Sequence, residues 1–376
     1  MTALLQHGST ILTFAIVLAI LVLVHELGHY IAARMFGIDV EEFGFGFPPR
    51  IVGWKKGKTI WSLNWIPLGG FVRIKGEDDP HATGPGNFAH QTAGVRSIVI
   101  AAGVFMNLVL ASLLFAVGYT IGLPAIVEDI PKYAKARDFR VQVVELLPGF
   151  PAEKAGLRMG DIIETIDGAK LDKVESIQEY VNAHPGGVDV EVRRGKEHQS
   201  YDLVPQPSAE SGRNVMGVAL IETAIVSYPP HIALLRGVAA TGYYVKEIFV
   251  SVGGLIKNLI FQQKSDVEFS GPVGIAVLTG RVAKLGFAYL VQFAGLLSVN
   301  LAVINILPIP ALDGGRLLFI VIERFRGKAV RPKVEAMIHR IAFILLLLLV
   351  LLVTIKDINH YKDQILQALK SLVGVT

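Results

Sequence analysis

From Ile11 to Leu23 the chain carries no charged side chain, and this run leads directly into Val24-His25-Glu26-Leu27-Gly28-His29. A stretch of that length and hydropathy is a candidate bilayer-spanning helix. It sets three ionisable groups at membrane depth, where each is costly unless it is paired or holds an ion. His25 and His29 share one face of a helix, so both imidazoles can reach one ion, and Glu26 beside them can take a proton from an attacking water. The spacing is that of a zincin helix. Soluble zincins do not precede it with such an apolar run, so the chain is read as placing a hydrolytic metal site inside a membrane.

Composition agrees with that reading. At 376 residues, 52% hydrophobic and 18% charged, the chain is too apolar for an ordinary soluble enzyme and too charged to be wholly membrane-buried. A membrane protein with a soluble insert satisfies both. The formal net charge of +4 reflects Lys and Arg clustered in particular loops, which speaks of membrane topology and not of a nucleic-acid face. There is no Cys, so disulfides and thiolate metal sites are excluded and any metal must use His nitrogen and carboxylate oxygen. The segment Met1 to His7 lacks Lys and Arg, unlike the basic start of a cleaved signal peptide, and the first span is expected to be retained.

Four stretches can cross a bilayer: Gly8 to Phe36, Val95 to Gly122, Ala288 to Leu307 and Ile338 to Ile355. Arg34, Arg50, Lys55, Lys56, Lys58, Arg73 and Lys75 lie between the first two. Arg316, Arg324, Arg326, Lys328, Arg331 and Lys333 lie between the last two. The positive-inside rule makes both loops cytoplasmic, which puts the two termini and the long middle insert outside. His25 falls roughly 26 Å along a helix counted from Gly8, toward its cytoplasmic end. The stretch from His231 to Phe261 could suggest a fifth span. Arg236, Lys246, Glu247 and Lys257 argue instead for one or two amphipathic helices on the outer membrane surface.

A catalytic zinc takes three protein ligands and keeps one position open. Asp313 is the candidate third ligand. It stands in Asn305-Ile306-Leu307-Pro308-Ile309-Pro310-Ala311-Leu312-Asp313-Gly314-Gly315, where span three ends in a Pro-broken stretch on the side of His25. Broken backbone at membrane depth is tolerated only where protein or a water-filled cavity satisfies it. The competing use of Asp313 is as an N-cap for the helix that follows. Glu41 and Glu42 are weaker rivals as ligands. Asn305 could hold a substrate backbone beside the metal or make an interhelical hydrogen bond; Asn300 and Asn107 carry the same ambiguity, leaning to structure.

The first cytoplasmic loop, with Phe43-Gly44-Phe45-Gly46-Phe47, a turn at Lys55-Lys56-Gly57-Lys58 and Pro67-Leu68-Gly69-Gly70, reads as short strands and turns. A protease must receive its substrate extended, and a strand edge can supply that by β-addition. The plainer alternative is a hairpin anchored in the interface by Trp54, Trp61 and Trp65. From Phe139 to Gln206 the pattern changes to short strands with glycine turns, and Pro148 to Gly168 resembles a PDZ domain of the bacterial protease type. Ser176 to Asn182 would be its helix, with Val188 to Arg193 and Gln199 to Val204 its closing strands. Its groove could take a peptide or a C-terminus, or act only as a steric plug.

Taken together, the chain resembles the site-2 protease family of intramembrane zinc metalloproteases, of the bacterial regulator-of-sigma-E protease type. The resemblance runs through His25-Glu26-Leu27-Gly28-His29, Gly44-Phe45-Gly46, Pro67-Leu68-Gly69-Gly70, the PDZ insert, Ser270-Gly271-Pro272-Val273-Gly274 and Asn305 to Asp313, all in family order. It implies that His25, His29 and Asp313 bind Zn2+, one per chain, and that Glu26 is the general base. It also implies that Asn305, Pro308, Pro310 and the glycines Gly44 and Gly46 help to hold substrate. The expected partners are the bilayer and a single-span membrane protein, such as an anti-sigma factor or a remnant signal peptide, cut after a first protease in a stress response. The expected location is the bacterial inner membrane, with the PDZ domain on the periplasmic side. Well-known proteobacterial members carry two tandem PDZ domains, whereas one is found here.

The expected fold is a polytopic α-helical membrane protein of four spans with a membrane-associated β-hairpin region and an inserted α/β PDZ domain. Residues 1–122 would form the first part of the metalloprotease core, with the cytoplasmic β-loop at 40–76. Residues 123–222 would hold the PDZ domain, 223–287 amphipathic surface helices and a linker, and 288–376 the second part of the core. The expected activity is zinc-dependent intramembrane endopeptidase cleavage. A catalytically silent PDZ scaffold with a structural metal is the alternative, and the intact Glu26 speaks against it because a structural site needs no base. A zinc transporter would want ionisable residues strung through several spans, and spans two and four show almost none.

Overall fold

The computed structural model describes residues 2–77, 84–127, 130–195, 197–208, 212–261, 271–328 and 330–362. Ser270 of the Ser270-to-Gly274 stretch and the C-terminal tail beyond residue 362 lie outside the described residues. Along the chain, α1 (Thr2–Met35) leads into a hairpin of two long strands, β1 (Val40–Lys56) and β2 (Thr59–Ile74), and α2 (Ala93–Ile121) follows. Next come β3 (Leu123–Ile126), β4 (Lys135–Leu146), α3 (Pro151–Ala155), β5 (Ile162–Ile166), α4 (Val174–Ala183), β6 (Val188–Arg194) and β7 (Glu197–Leu203). The short pair β8 (Gln206–Pro207) and β9 (Asn214–Val215) precedes β10 (Val218–Ser227). The helices α5 (Pro230–Ile260), α6 (Pro272–Leu285), α7 (Phe287–Ile306), α8 (Asp313–Arg326) and α9 (Pro332–His360) complete the order. Two compact units result, one of residues 1–117 with 234–376 and one of residues 118–233.

In the first unit, α1, α2, α7 and α9 each contain a stretch long and apolar enough to cross a membrane: 10–35, 93–121, 287–306 and 333–360. Gly37 ends α1 with φ 72°, which lets Ile38 N–H bond back to Ala33 O at 2.9 Å in a Schellman-type turn. Val17 and Leu21 of α1 pack with Ala294 of α7 and Leu110 and Leu114 of α2. Small residues bring the backbones close, as is usual where helices pack without a hydrophobic driving force between them. A Cβ on Gly28 would stand 2.3 Å from Ala102 O of α2. Polar side chains tie the same helices: Ser298 Oγ donates to Asn107 O at 2.8 Å and Gln292 Nε2 to Phe115 O at 3.1 Å.

The loop after α1 departs from the short strands expected. β1 and β2 run 17 and 16 residues, and each bends so that the first half of β1 is paired on both sides. Phe43 opposes Trp61 in the first half of β2 and Val72 in the second, while Trp54 in the second half of β1 also pairs with Trp61. Glycine and proline at the bends let one strand serve two neighbours. Asn64 is buried and donates to Phe45 O and Gly46 O at 3.2 and 3.1 Å, fixing the bend at Gly46, whose φ is 76°. Of the three tryptophans, Trp54 and Trp65 are exposed, but Trp61 stacks into a cluster with Tyr30 and Phe43.

Over 223–287, the single helix α5 falls within the one or two helices expected there and is not among the helices apolar enough to span, while the boundary and the linker differ. The first residues of the stretch complete β10. Then α5 is one continuous helix whose Gly237 crosses α2 so closely that a Cβ would lie 2.3 Å from Ser112 O, with Ser112 Oγ donating to Thr241 Oγ1 at 2.9 Å. The supposed linker contains α6, which packs against α1, with Gly280 against Thr10. Asp357 of α9 accepts from Gly274 N–H at 2.7 Å and so closes the N-terminus of α6. Glycines and a threonine with little hydrophobic periodicity hide such a helix from a pattern search, because its packing relies on close approach.

The second unit is a six-stranded sheet in the order β3-β10-β4-β5-β6-β7, with α4 against it. Val141, Val143, Ile163, Ile166, Ile177, Val190 and Val192 form its buried core. The alternation from Met216 to Val226 builds β10, which slots between β3 and β4. A boundary at 222 therefore cuts through a central strand, and a core ending at 206 omits it. Val174 N–H donates to Glu222 Oε1 at 2.9 Å, which fastens α4 to β10.

Candidate metal centre

His25 and His29 stand four residues apart on α1, so the helix alone brings their Nε2 atoms to 3.2 Å. Asp313, the first residue of α8, brings Oδ2 to 3.0 Å from His25 Nε2 and 3.4 Å from His29 Nε2. Both histidines are buried. Among the described residues, these three form the one His, Cys, Asp or Glu group whose ligand atoms converge, all within 4.8 Å of one another. Glu42 does not join them. It is buried within the sheet and accepts from Arg50 Nη2 at 2.6 Å, and Glu41 is exposed.

The hydrogen bonds around the group decide what its lone pairs face. His29 Nδ1 lies 2.9 Å from Val99 O, a contact that requires the proton on Nδ1 and leaves Nε2 a bare acceptor. His25 Nδ1 lies 3.4 Å from the Asn107 amide, whose Oδ1 is buried without a partner in the drawn orientation. Turning that amide lets Oδ1 accept from His25 Nδ1–H and leaves His25 Nε2 bare as well. Asp313 Oδ2 is likewise buried and receives no hydrogen bond. Three acceptors aimed at one another within 3.0 to 3.4 Å repel unless a cation lies among them. A tetrahedral ion bonded at about 2.0–2.1 Å sets its ligand atoms roughly 3.3 Å apart. The spacing therefore fits zinc, with three protein ligands and a position left open.

Glu26 is half-buried on the same helix turn, beside the second half of β2. Gly70 packs beside it, with a would-be Cβ 3.9 Å from Glu26 Cγ, so the second half of β2 runs alongside the base. Asn305 Nδ2 approaches His25 Nε2 at 3.4 Å, whereas Asn300 Nδ2 donates to Leu296 O of its own helix. Pro308 is exposed and Pro310 half-buried in the turn before Asp313. Gly44 and Gly46 are buried inside the sheet, where a Cβ would meet the Phe71 ring at 2.4 Å or Ile66 O at 2.5 Å. Their glycine character serves close strand approach.

Two contributors escape any reading of spacing. Gly103 of α2 faces the histidines directly, and a Cβ there would lie 2.4 Å from His29 Nε2. Val99 supplies a backbone carbonyl, for which side-chain identity carries no signal. The only sequence hint is the small-residue cluster Ala101-Ala102-Gly103, four residues before Asn107.

The profile of peptidase family M50 matches residues 13–349. Zinc metalloprotease RasP of Geobacillus kaustophilus is 30% identical, covering 94% of this chain and 98% of that protein. A putative zinc metalloprotease of Clostridium perfringens is 34% identical over 90% of this chain and 95% of its own length. One from Agrobacterium fabrum is 31% identical over 93% and 95%. A solved PDZ domain of an SdrC-like protein from Listeria monocytogenes, 22% identical, covers 23% of this chain and 92% of that domain, with a TM-score of 0.21.

Proposed function

The chain belongs to peptidase family M50, the site-2 protease type of zinc metalloprotease, and from that premise we propose that it cuts transmembrane segments of single-span membrane proteins. The observation that carries the proposal is the convergence of His25, His29 and Asp313 with Glu26 beside them, at the end of an apolar helix long enough to span a bilayer. In this reading His25, His29 and Asp313 hold the metal. Zinc, when bound there, supplies Lewis acidity toward the scissile carbonyl. Glu26 takes the proton from the attacking water and returns it to the leaving nitrogen.

A substrate must arrive unwound, since helical amides are already paired. The second half of β2 is the outer strand segment of the hairpin and runs beside Glu26, which supports strand addition as the means of holding it extended. Asn305, Pro308 and Pro310, with the bends shaped by Gly44 and Gly46, would line the same path. The loops rich in Lys and Arg support an active site toward the cytoplasm in a bacterial inner membrane, with the termini and the PDZ-like unit outside. Anti-sigma factors and remnant signal peptides are the substrates such a device suits.

The test is cleavage of a reconstituted, tagged single-span substrate by wild type and by Glu26→Gln, with metal assayed in both. Cleavage by wild type alone at equal zinc content is expected. Cleavage that survives in Glu26→Gln would remove the general-base role. Failure of both to cut a panel of helix-destabilised substrates, with zinc held, would remove the proposed activity.

A further inference from the structure

The short stretch between α7 and α8 carries the third metal ligand, and its backbone is unusual. Ala311 has φ 81°, a left-handed conformation that strains an alanine because its Cβ crowds the following carbonyl. Pro308 and Pro310 have no N–H to offer, so few hydrogen bonds are available to hold the turn. Ile309 N–H reaches Leu307 O at 2.6 Å and Leu312 N–H reaches Ile309 O at 3.2 Å. The turn also folds tightly over the start of α8, since a Cβ on Gly314 would lie 2.1 Å from Leu307 O and one on Gly315 2.4 Å from Ile309 O. The remaining amide, Ala311 N–H, leaves the turn altogether. It donates to His339 Nδ1 of α9 at 2.9 Å, across 28 residues of chain.

We propose that His339 is a positioning residue for the metal site, holding the strained Ala311 turn so that Asp313 points at His25 and His29. The imidazole is itself fixed, because its ring packs against Phe319 of α8 at 5.4 Å between centroids. The residue held and the ligand positioned are two apart in sequence, and the backbone between them lacks slack: Leu312 O accepts from Gly315 N–H at 3.0 Å. Without the acceptor on α9, Ala311 would relax toward negative φ and swing the Asp313 carboxylate away. His339 and Ala311 together also line a cavity of about 570 Å³, shared with Glu77, Arg96, Arg316 and Glu335. An amide released from His339 could therefore be met by water, which makes the turn easy to lose and the side chain the element that keeps it. The inference rests on the metal reading of His25, His29 and Asp313.

The test uses the full-length protein with His339→Leu, which removes the acceptor, and His339→Asn, whose Oδ1 can take the place of Nδ1. Zinc affinity is measured by competition with a chromophoric chelator, and ligand geometry by visible absorption of the cobalt(II)-substituted protein, with Asp313→Asn as reference. The expected result is a zinc affinity lower by roughly 10- to 100-fold in His339→Leu, with a cobalt spectrum shifted toward that of Asp313→Asn. His339→Asn should stay within about 3-fold of wild type, and adding Ala311→Gly to His339→Leu should recover part of the loss by removing the φ penalty. Wild-type affinity and spectrum in His339→Leu would overturn the inference. Equal loss in both His339 variants with lowered melting temperatures would overturn it too, by showing a packing role only. A wild type that binds no metal would instead remove the reading beneath it, and the inference with it.

Discussion

Gly103→Ala adds one methyl group at the face of α2 that meets the histidines. Its Cβ would stand 2.4 Å from His29 Nε2 and 2.8 Å from His25 Cε1. Comfortable contact needs about 3.5 Å, so the His29 ring must retreat by roughly 1 Å. Metal–ligand distances hold to within about 0.2 Å, and His29 is tethered through Nδ1 to Val99 O on the same helix as the new methyl. The ring can keep that hydrogen bond or its place at the ion, not both. Changes to outer-shell groups already cost 10- to 100-fold in metal affinity, so a direct displacement should cost about 100-fold, or about 2.8 kcal/mol. Alanine favours a helix over glycine by about 1 kcal/mol, which offsets part of the roughly 1–3 kcal/mol that crowding the buried imidazoles costs, so the metal-free protein should lose at most about 2 kcal/mol and stay folded. Gly94→Ala, on the same helix with nothing within 4 Å of its Cβ, is the control. Chelator competition and thermal melts with and without zinc make the measurement. Wild-type zinc affinity in Gly103→Ala would refute the reasoning, because it would mean that His29 Nε2 does not work from the place it occupies.

Two further outcomes follow from other parts of the chain. Burial pushes the Asp161 carboxyl upward, but paired hydrogen bonds from Arg194, both at 2.7 Å, and the Arg158 N–H at 2.8 Å outweigh it and hold it below the usual carboxylate range. Its contribution to the stability of the 118–233 unit is therefore fully present above the unfolded value near 3.9 and is lost as pH falls through the lower folded value. Asp161→Asn should cost about 2–3 kcal/mol at neutral pH by removing the charge that pairs with Arg194, and should flatten the loss of stability on acidification; urea melts of the protein from pH 7 to pH 2 that show the same acid dependence in both forms would contradict this. Asn64→Ala leaves Phe45 O and Gly46 O without their donor and should cost about 1–3 kcal/mol. Because it loosens the sheet and not the metal ligands, KM for a membrane substrate should rise several-fold at unchanged zinc content, and a fall in kcat alone would contradict the assignment.

Much of the architecture is legible because it is local. Hydropathy marks the four apolar helices, since a span must be continuous in sequence, and the four-residue spacing puts His25 and His29 on one face of one helix. Asp313 can be singled out because a carboxylate after Pro308 and Pro310 stands at a level that few residues share. What stayed hidden depends on how separate elements cross. Gly103 and Val99 matter only because α2 passes within backbone contact of α1 at Gly28, an approach that the small-residue cluster Ala101-Ala102-Gly103 hints at without naming its partner. His339 reads as one polar residue at the start of a leucine-rich helix until Ala311 is seen to point at it. β10 escaped because a strand added after β7 enters the middle of the sheet, and α6 because glycine and threonine contacts replace an apolar stripe.

Two polar contacts fasten the apolar helix α9 near its ends. His339 holds one end through Ala311, and Asp357 holds the other through Gly274, while Leu345, Leu347, Leu348, Leu349, Leu351 and Leu352 between them are exposed. The eighteen residue steps from His339 to Asp357 measure about 27 Å along a helix, close to the roughly 30 Å of a bilayer's hydrocarbon core. In the membrane reading proposed above, the two fastenings lie about one hydrocarbon thickness apart. In that reading a thicker bilayer would favour an upright α9 and a thinner one a tilted α9, and either change would bear on both fastenings, one of them at the turn that carries Asp313. The surrounding lipid is in this sense part of the metal site's mechanical environment.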